Sequence, residues 1–191
     1  KDILGIFNDS LIENNVYKVR STEQDDVLDG LWILLNKSAE KFDATCSCDL
    51  YRFIKRYLDE GHFMFQDRVS DFCGKLNADV KIALLRKIVE DKQFVAGENT
   101  WHHCSVIIEL LDNGNVEYSK EILRRIKSIS VGNHKIIVRN IAYKKEKHLL
   151  KAFCVEILPD EDPIFVEQRT QQIAAIEKFE HDRQEMLAKE A

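Results

Sequence analysis

Trp101-His102-His103-Cys104 is the run in this chain whose side chains could do chemistry. Two imidazoles and a thiol side by side are zinc ligands or a nucleophile with its base. Cys46 and Cys48 would supply further thiolates if the fold brought them near. The spacing argues against both uses. Zinc sites are usually built from paired C-x₂₋₄-C and H-x₃₋₅-H steps, and neither Cys-x-Cys nor adjacent histidines match. On a helix His102 and His103 project about 100° apart, so one ion cannot easily take both. The plainer expectation puts Trp101 and Cys104 on a core face, with the histidines at its edge. Cys104 lies about one turn into its helix, where the dipole that acidifies a thiol is fading. Cys46 and Cys48 sit near a helix start but have no local histidine.

Other signatures are missing from the sequence. It has no G-x-x-x-x-G-K-[ST] and no G-x-G-x-x-G run for phosphates. Asp25, Asp26 and Asp29 cluster, but a helix N-terminus attracts carboxylates without any catalytic purpose. The expectation is therefore a protein that is not an enzyme, with no catalytic residues, no metal and no cofactor. An enzyme or zinc protein built on His102, His103 and Cys104 is the third-ranked alternative.

Charge is the stronger signal. Residues 120–151 hold ten Lys/Arg against two Asp/Glu, a net of +8. Residues 1–119 carry 14 against 21, and residues 152–191 carry 4 against 10. A basic block between acidic ones reads as complementary surfaces. Lys120, Arg124 and Lys127 stand at i, i+4 and i+7 and share a helix face. Lys135 and Arg139 repeat the four-residue step. This basic face is expected to bind an acidic protein surface. Nucleic acid is the alternative, since such a stripe could neutralise phosphates. Sparse aromatics in the block and an overall net charge of −5 weigh against it.

Only two prolines occur in 191 residues, at Pro159 and Pro163, so helices are unopposed over most of the chain. Helical periodicity runs through 2–15 and 21–35, where Val27, Leu28, Leu31, Ile33, Leu34 and Leu35 form an apolar face broad enough for a covered helix. A third helix spans 47–60 on Leu50, Phe53, Ile54, Tyr57 and Leu58, and a shorter one 62–73. Asn77 caps a helix that ends near Gly97, and Asn99 or Thr100 caps another through Leu111. Asp112-Asn113-Gly114-Asn115 is a turn, because Asn and Gly accept left-handed backbone angles. Val116, Ile122, Leu123, Ile126 and Ile129 point inward from the next helix. Residues 135–143 are open to helix or short strand, since periodicity cannot arbitrate so short a run. Residues 146–158 are helical, through Leu149, Leu150, Phe153, Cys154, Ile157 and Leu158.

The expected fold is all-α, an irregular antiparallel bundle of about eight helices. Its organisation is a helical domain over 1–158, an acidic Pro-flanked linker over 159–163, and an amphipathic helix over 164–191. That last helix has a thin apolar stripe (Phe165, Ile173, Ile176, Phe179, Leu187), of which Phe165, Ile173, Ile176 and Phe179 suit a helix-binding groove on a partner. Five cysteines, an odd number, fit a reducing compartment better than a disulfide framework. The longest N-terminal apolar run, Leu31–Leu35, is far short of the ~20 residues a membrane helix needs. Lys1-Asp2-Ile3-Leu4 lacks a secretory layout. These features point to a cytoplasmic adaptor, chaperone-like factor or assembly subunit of a multiprotein complex, for example of the secretion-adaptor type.

Overall fold

The fold comes from a computed structural model. It describes residues 30, 32–59, 63–97, 100–144 and 147–158, with scattered helical positions between 171 and 186. The chain is all-α, and among the described residues there is no strand. Two compact units divide it, Lys1–Ile137 and Val138–Ala191.

The first unit opens, among described residues, with a helical segment at 32–38. Trp32 and Leu35 are buried there, and the Trp32 ring lies 6.0 Å from that of Phe53. Short 3₁₀ turns at Ala39–Lys41 and Ala44–Cys46 lead into α1, Ser47–Asp59. Leu50, Phe53, Ile54 and Leu58 recur at three- and four-residue steps and are all buried, as helical spacing requires. Helix α2 spans Phe63–Lys75 and buries Val69, Phe72 and Cys73.

Helix α3, Ala78–Glu90, starts where Asn77 Oδ1 accepts the Val80 N–H at 3.2 Å. The same side chain's Nδ2 donates to the Phe42 carbonyl at 2.8 Å, which ties the cap to the preceding turn. The helix does not run on to Gly97. Asp91 leaves helical geometry at ψ 94° and accepts the N–H groups of Gln93 and Phe94 on its Oδ1. That starts a separate five-residue helix, α4, Lys92–Ala96. A side-chain oxygen that replaces the missing backbone partners is why Asp favours caps over helix interiors. The break turns Phe94 and Val95 into the core.

Helix α5, Thr100–Leu111, is the unit's central element. His103, Cys104, Val106, Ile107, Ile108, Leu110 and Leu111 are all buried, and the helix packs on α2 and α3. The turn that follows has Gly114 at φ +76°, where a side chain would be strained. Asn115 then caps α6, Val116–Ile129, through the Tyr118 N–H at 3.0 Å. Ser119, Ile122, Leu123 and Ile126 are buried, while Val116 and Ile129 at the two ends are half-buried.

The ambiguous run at 135–143 is helix: α7 spans Val131–Tyr143. Asn133 anchors its start, with Nδ2 donating to the Val95 carbonyl at 2.5 Å. In the second unit Val138, Ile141 and Ala142 are buried, as are Leu150 and Cys154 of α8, His148–Ile157, and Leu158 after it. Leu149, expected inward, is exposed.

The first described helix departs from expectation. Ile33 and Leu34 are 55% and 52% exposed, so the first described helix is not covered all round. Trp32 and Leu35 take the buried side instead. Pro159–Pro163, Phe165, Ile173 and Ile176 lie outside the described residues, as do 1–29.

Candidate functional site

The residues with chemical potential are mostly spent on packing. His103, expected at the rim, is 3% exposed, and its ring meets Phe94 edge-on with centroids 4.5 Å apart. Trp101, expected in the core, is 54% exposed. Trp101 shares a helical face with the buried Ile108, but it stands in the first turn of α5, one residue after the helix begins. Cys104 is buried as expected, with its thiol 3.9 Å from the Asn133 carbonyl.

Burial pushes the Cys104 and Cys154 thiols up to about 12 and raises Cys73 as well. A thiol that stays protonated is a poor nucleophile and a poor metal ligand. Cys46 and Cys48 remain nearer the surface at the start of α1. Among the described residues no group of three His, Cys, Asp or Glu side chains could hold a metal ion.

An unforeseen polar cluster joins α1 to the α3–α4 break. Tyr51 Oη and Lys55 Nζ both donate to Asp91 Oδ2, each at 2.5 Å. Partial burial pushes the Asp91 carboxyl up, but the hydrogen bonds from Lys55, Tyr51 and the Phe94 N–H outweigh it and hold it at about 2. An open depression of about 570 Å³ lies beside it, lined by Tyr51, Lys87, Glu90, Asp91, Lys92 and Gln93. Lys87 pairs with Glu90 at 3.7 Å, and Lys55 with Asp91. Through Asp91 this cluster ties α1 to the α3–α4 break.

The basic stripe is realised on α6 in altered form. Arg124 and Lys127 are exposed, on the side opposite Ile122, Leu123 and Ile126. Arg125 joins them as a third exposed cation. An i, i+4, i+7 template skips it, although the Arg-Arg pair was visible in the sequence. Lys120 is half-buried and pairs with Glu117 at 2.9 Å, and that hydrogen bond lowers the Glu117 carboxyl. Part of the stripe's charge is thus used internally. Lys135 and Arg139 stand one turn apart on α7, both half-buried. The Arg139 guanidinium lies 5.7 Å from the Tyr143 ring centre, a cation–π contact.

Toward the C-terminus Phe179 is exposed, and so is Met186. Leu187, the last residue of the expected stripe, lies outside the described residues. What this arrangement can do is present fixed charge and apolar side chains to a macromolecule. Against family models, curated proteins and solved structures the chain has no match, so its function is argued from these residues alone.

Proposed function

We propose that this chain is a non-enzymatic adaptor or assembly subunit that docks an acidic protein surface on the outer side of α6. The observation that carries this reading is the division of that helix. Ile122, Leu123 and Ile126 are buried on one side, which fixes the backbone, and Arg124, Arg125 and Lys127 stand in solvent on the other. Cations on a held helix lose less freedom on binding than cations on a loop. Each exposed ion pair contributes only about 0–1 kcal/mol, so the face acts mainly through encounter rate and choice of partner. The exposed Phe179 and Met186 are a second contact of the same adaptor. Five free cysteines fit work in the reducing cytoplasm.

The test compares the wild type with Arg124→Glu/Arg125→Glu/Lys127→Glu. Proteins retained from native extract by the wild type but not by blank resin are identified, purified and titrated against both forms. The expected result is a partner whose affinity falls about tenfold or more in the triple variant and weakens steeply with salt. A partner bound equally by both forms would overturn the reading. Tight binding of mixed-sequence RNA or duplex DNA at low salt, lost in the triple variant, would transfer the face to nucleic acid.

A further inference from the structure

Asn113-Gly114 is the one Asn-Gly pair in the chain. An asparagine followed by glycine carries its own reactant. The glycine backbone nitrogen attacks the side-chain amide carbon, and glycine has no Cβ to shield that approach. The bond from the Gly114 nitrogen to Asn113 Cγ forms and the Cγ–Nδ2 bond breaks. Ammonia leaves, taking up the proton shed by the attacking nitrogen. The product is a five-membered succinimide. Water then opens one or other ring carbonyl and leaves aspartate or isoaspartate at 113. Water is the sole co-reactant, and nothing is oxidised or reduced.

The fold holds both ends of that amide. Asn113 is 5% exposed, and its Oδ1 accepts the Asn115 N–H at 2.9 Å. The buried Ser119 hydroxyl shares its proton between the Leu111 carbonyl at 2.8 Å and Asn113 Oδ1 at 3.4 Å. Asn113 Nδ2, the leaving group, donates to the Leu110 carbonyl at 3.3 Å. Cyclisation needs the amide to turn its face to the Gly114 nitrogen and to release ammonia into water, and these bonds and this burial oppose both. We infer that Asn113 is a modification site gated by unfolding, shut while the α5–α6 turn is seated and open to cyclisation with loss of ammonia once the turn lets go. The change runs one way. Aspartate at 113 sets a carboxylate oxygen where Nδ2 donated, against the Leu110 carbonyl at the negative end of α5. Isoaspartate lengthens the main chain inside a turn built on Gly114 at φ +76°. The neighbouring Asp112 carbonyl receives Lys81 Nζ at 3.1 Å, so the altered residue lies beside the ammonium that closes α2 and α5. A chain that has opened long enough therefore keeps a chemical record of it and reseats the turn less firmly. This holds whether or not α6 docks a partner.

The full chain is incubated at pH 8 in buffer and, in parallel, in guanidinium chloride. Peptide mapping by mass spectrometry reads the one-dalton gain at Asn113, and labelling by protein isoaspartyl methyltransferase counts the isoaspartate. Conversion in guanidinium is expected to run at least about tenfold faster than in buffer. Gly114→Ala, read in guanidinium where folding plays no part, is expected to slow conversion at least about tenfold, because a Cβ now crowds the attacking nitrogen. Asn113→Asp is expected to melt below the wild type. Equal rates in buffer and guanidinium would overturn the gate. Denatured chains that convert other asparagines before Asn113, or Gly114→Ala chains that convert as fast as the wild type, would overturn the assignment of the site. An Asn113→Asp chain as stable as the wild type would overturn the one-way consequence.

Discussion

Lys81 Nζ donates to the Gly74 carbonyl at 2.8 Å, across the gap between α3 and the last turn of α2. The same ammonium reaches the Asp112 carbonyl at 3.1 Å, just past the end of α5. A helix end leaves carbonyls without intrahelical partners, and its partial negative charge attracts a cation. Lys81 therefore closes two helices at once, which explains a lysine that is almost fully buried.

Lys81→Met keeps the length of the side chain and removes the charge and donors. Two carbonyls lose their partner, at roughly 1–3 kcal/mol for a buried unsatisfied group. The expected loss of unfolding free energy is about 2–4 kcal/mol by urea titration. A loss under 0.5 kcal/mol would mean that water replaces the ammonium at no cost.

Asp91 makes stability depend on acid pH. Its carboxyl titrates at about 2 in the fold, below its ordinary value of 3.8. A depressed carboxylate pKa contributes stability that is complete above the ordinary value and is lost as pH falls toward the folded one. Allowing for the partial exposure of Lys55, the contribution is roughly 1–2 kcal/mol. Thermal melts from pH 5 down to pH 2 are expected to fall less steeply in Asp91→Asn than in the wild type, and the variant is less stable at pH 7.

Trp101 and His103 exchange the roles their residue types imply. Trp101→Ala is expected to change stability by less than about 0.5 kcal/mol, because the side chain is solvent-exposed. His103→Ala removes a ring packed on Phe94 and opens a void, for an expected loss of about 2–3 kcal/mol. Guanidinium titration of both variants reads the difference directly. A larger effect at Trp101 would contradict the packing of α5.

Thiol labelling reports the same core. Cys48 is exposed and Cys46 half-exposed, whereas Cys73, Cys104 and Cys154 are buried with raised thiols. A maleimide at pH 7 is expected to add to Cys48 first and Cys46 next in the native state. The other three are expected to react only in denaturant. Peptide mapping that finds rapid native labelling at Cys104 would show that α5 is not seated as described.

Much of the local architecture was legible before any fold was in hand. Asn77 as a cap, the Asp112–Asn115 turn with Gly114 at positive φ, and the buried set Leu50, Phe53, Ile54 and Leu58 follow from rules that span four residues or fewer. The α6 face was readable too, because its buried and charged residues alternate with the helical period. Arg125 escaped only because the stripe was drawn too narrowly.

The amino-acid order by itself determined that this chain is helical, where most helices start and stop, and which of them carry a charged side. Tertiary structure decided the rest, because it chose among locally equivalent options. Helix α5 is apolar over most of its circumference, so packing by α2 and α3 selected His103 over Trp101 for the interior. Tyr51 and Lys55, forty and thirty-six positions away, meet the Asp91 that ends α3 before Gly97. Trp32 packing on Phe53 turned Ile33 and Leu34 to solvent. Periodicity names the candidates for burial, but only contacts between residues distant in the chain decide which of them lose their water.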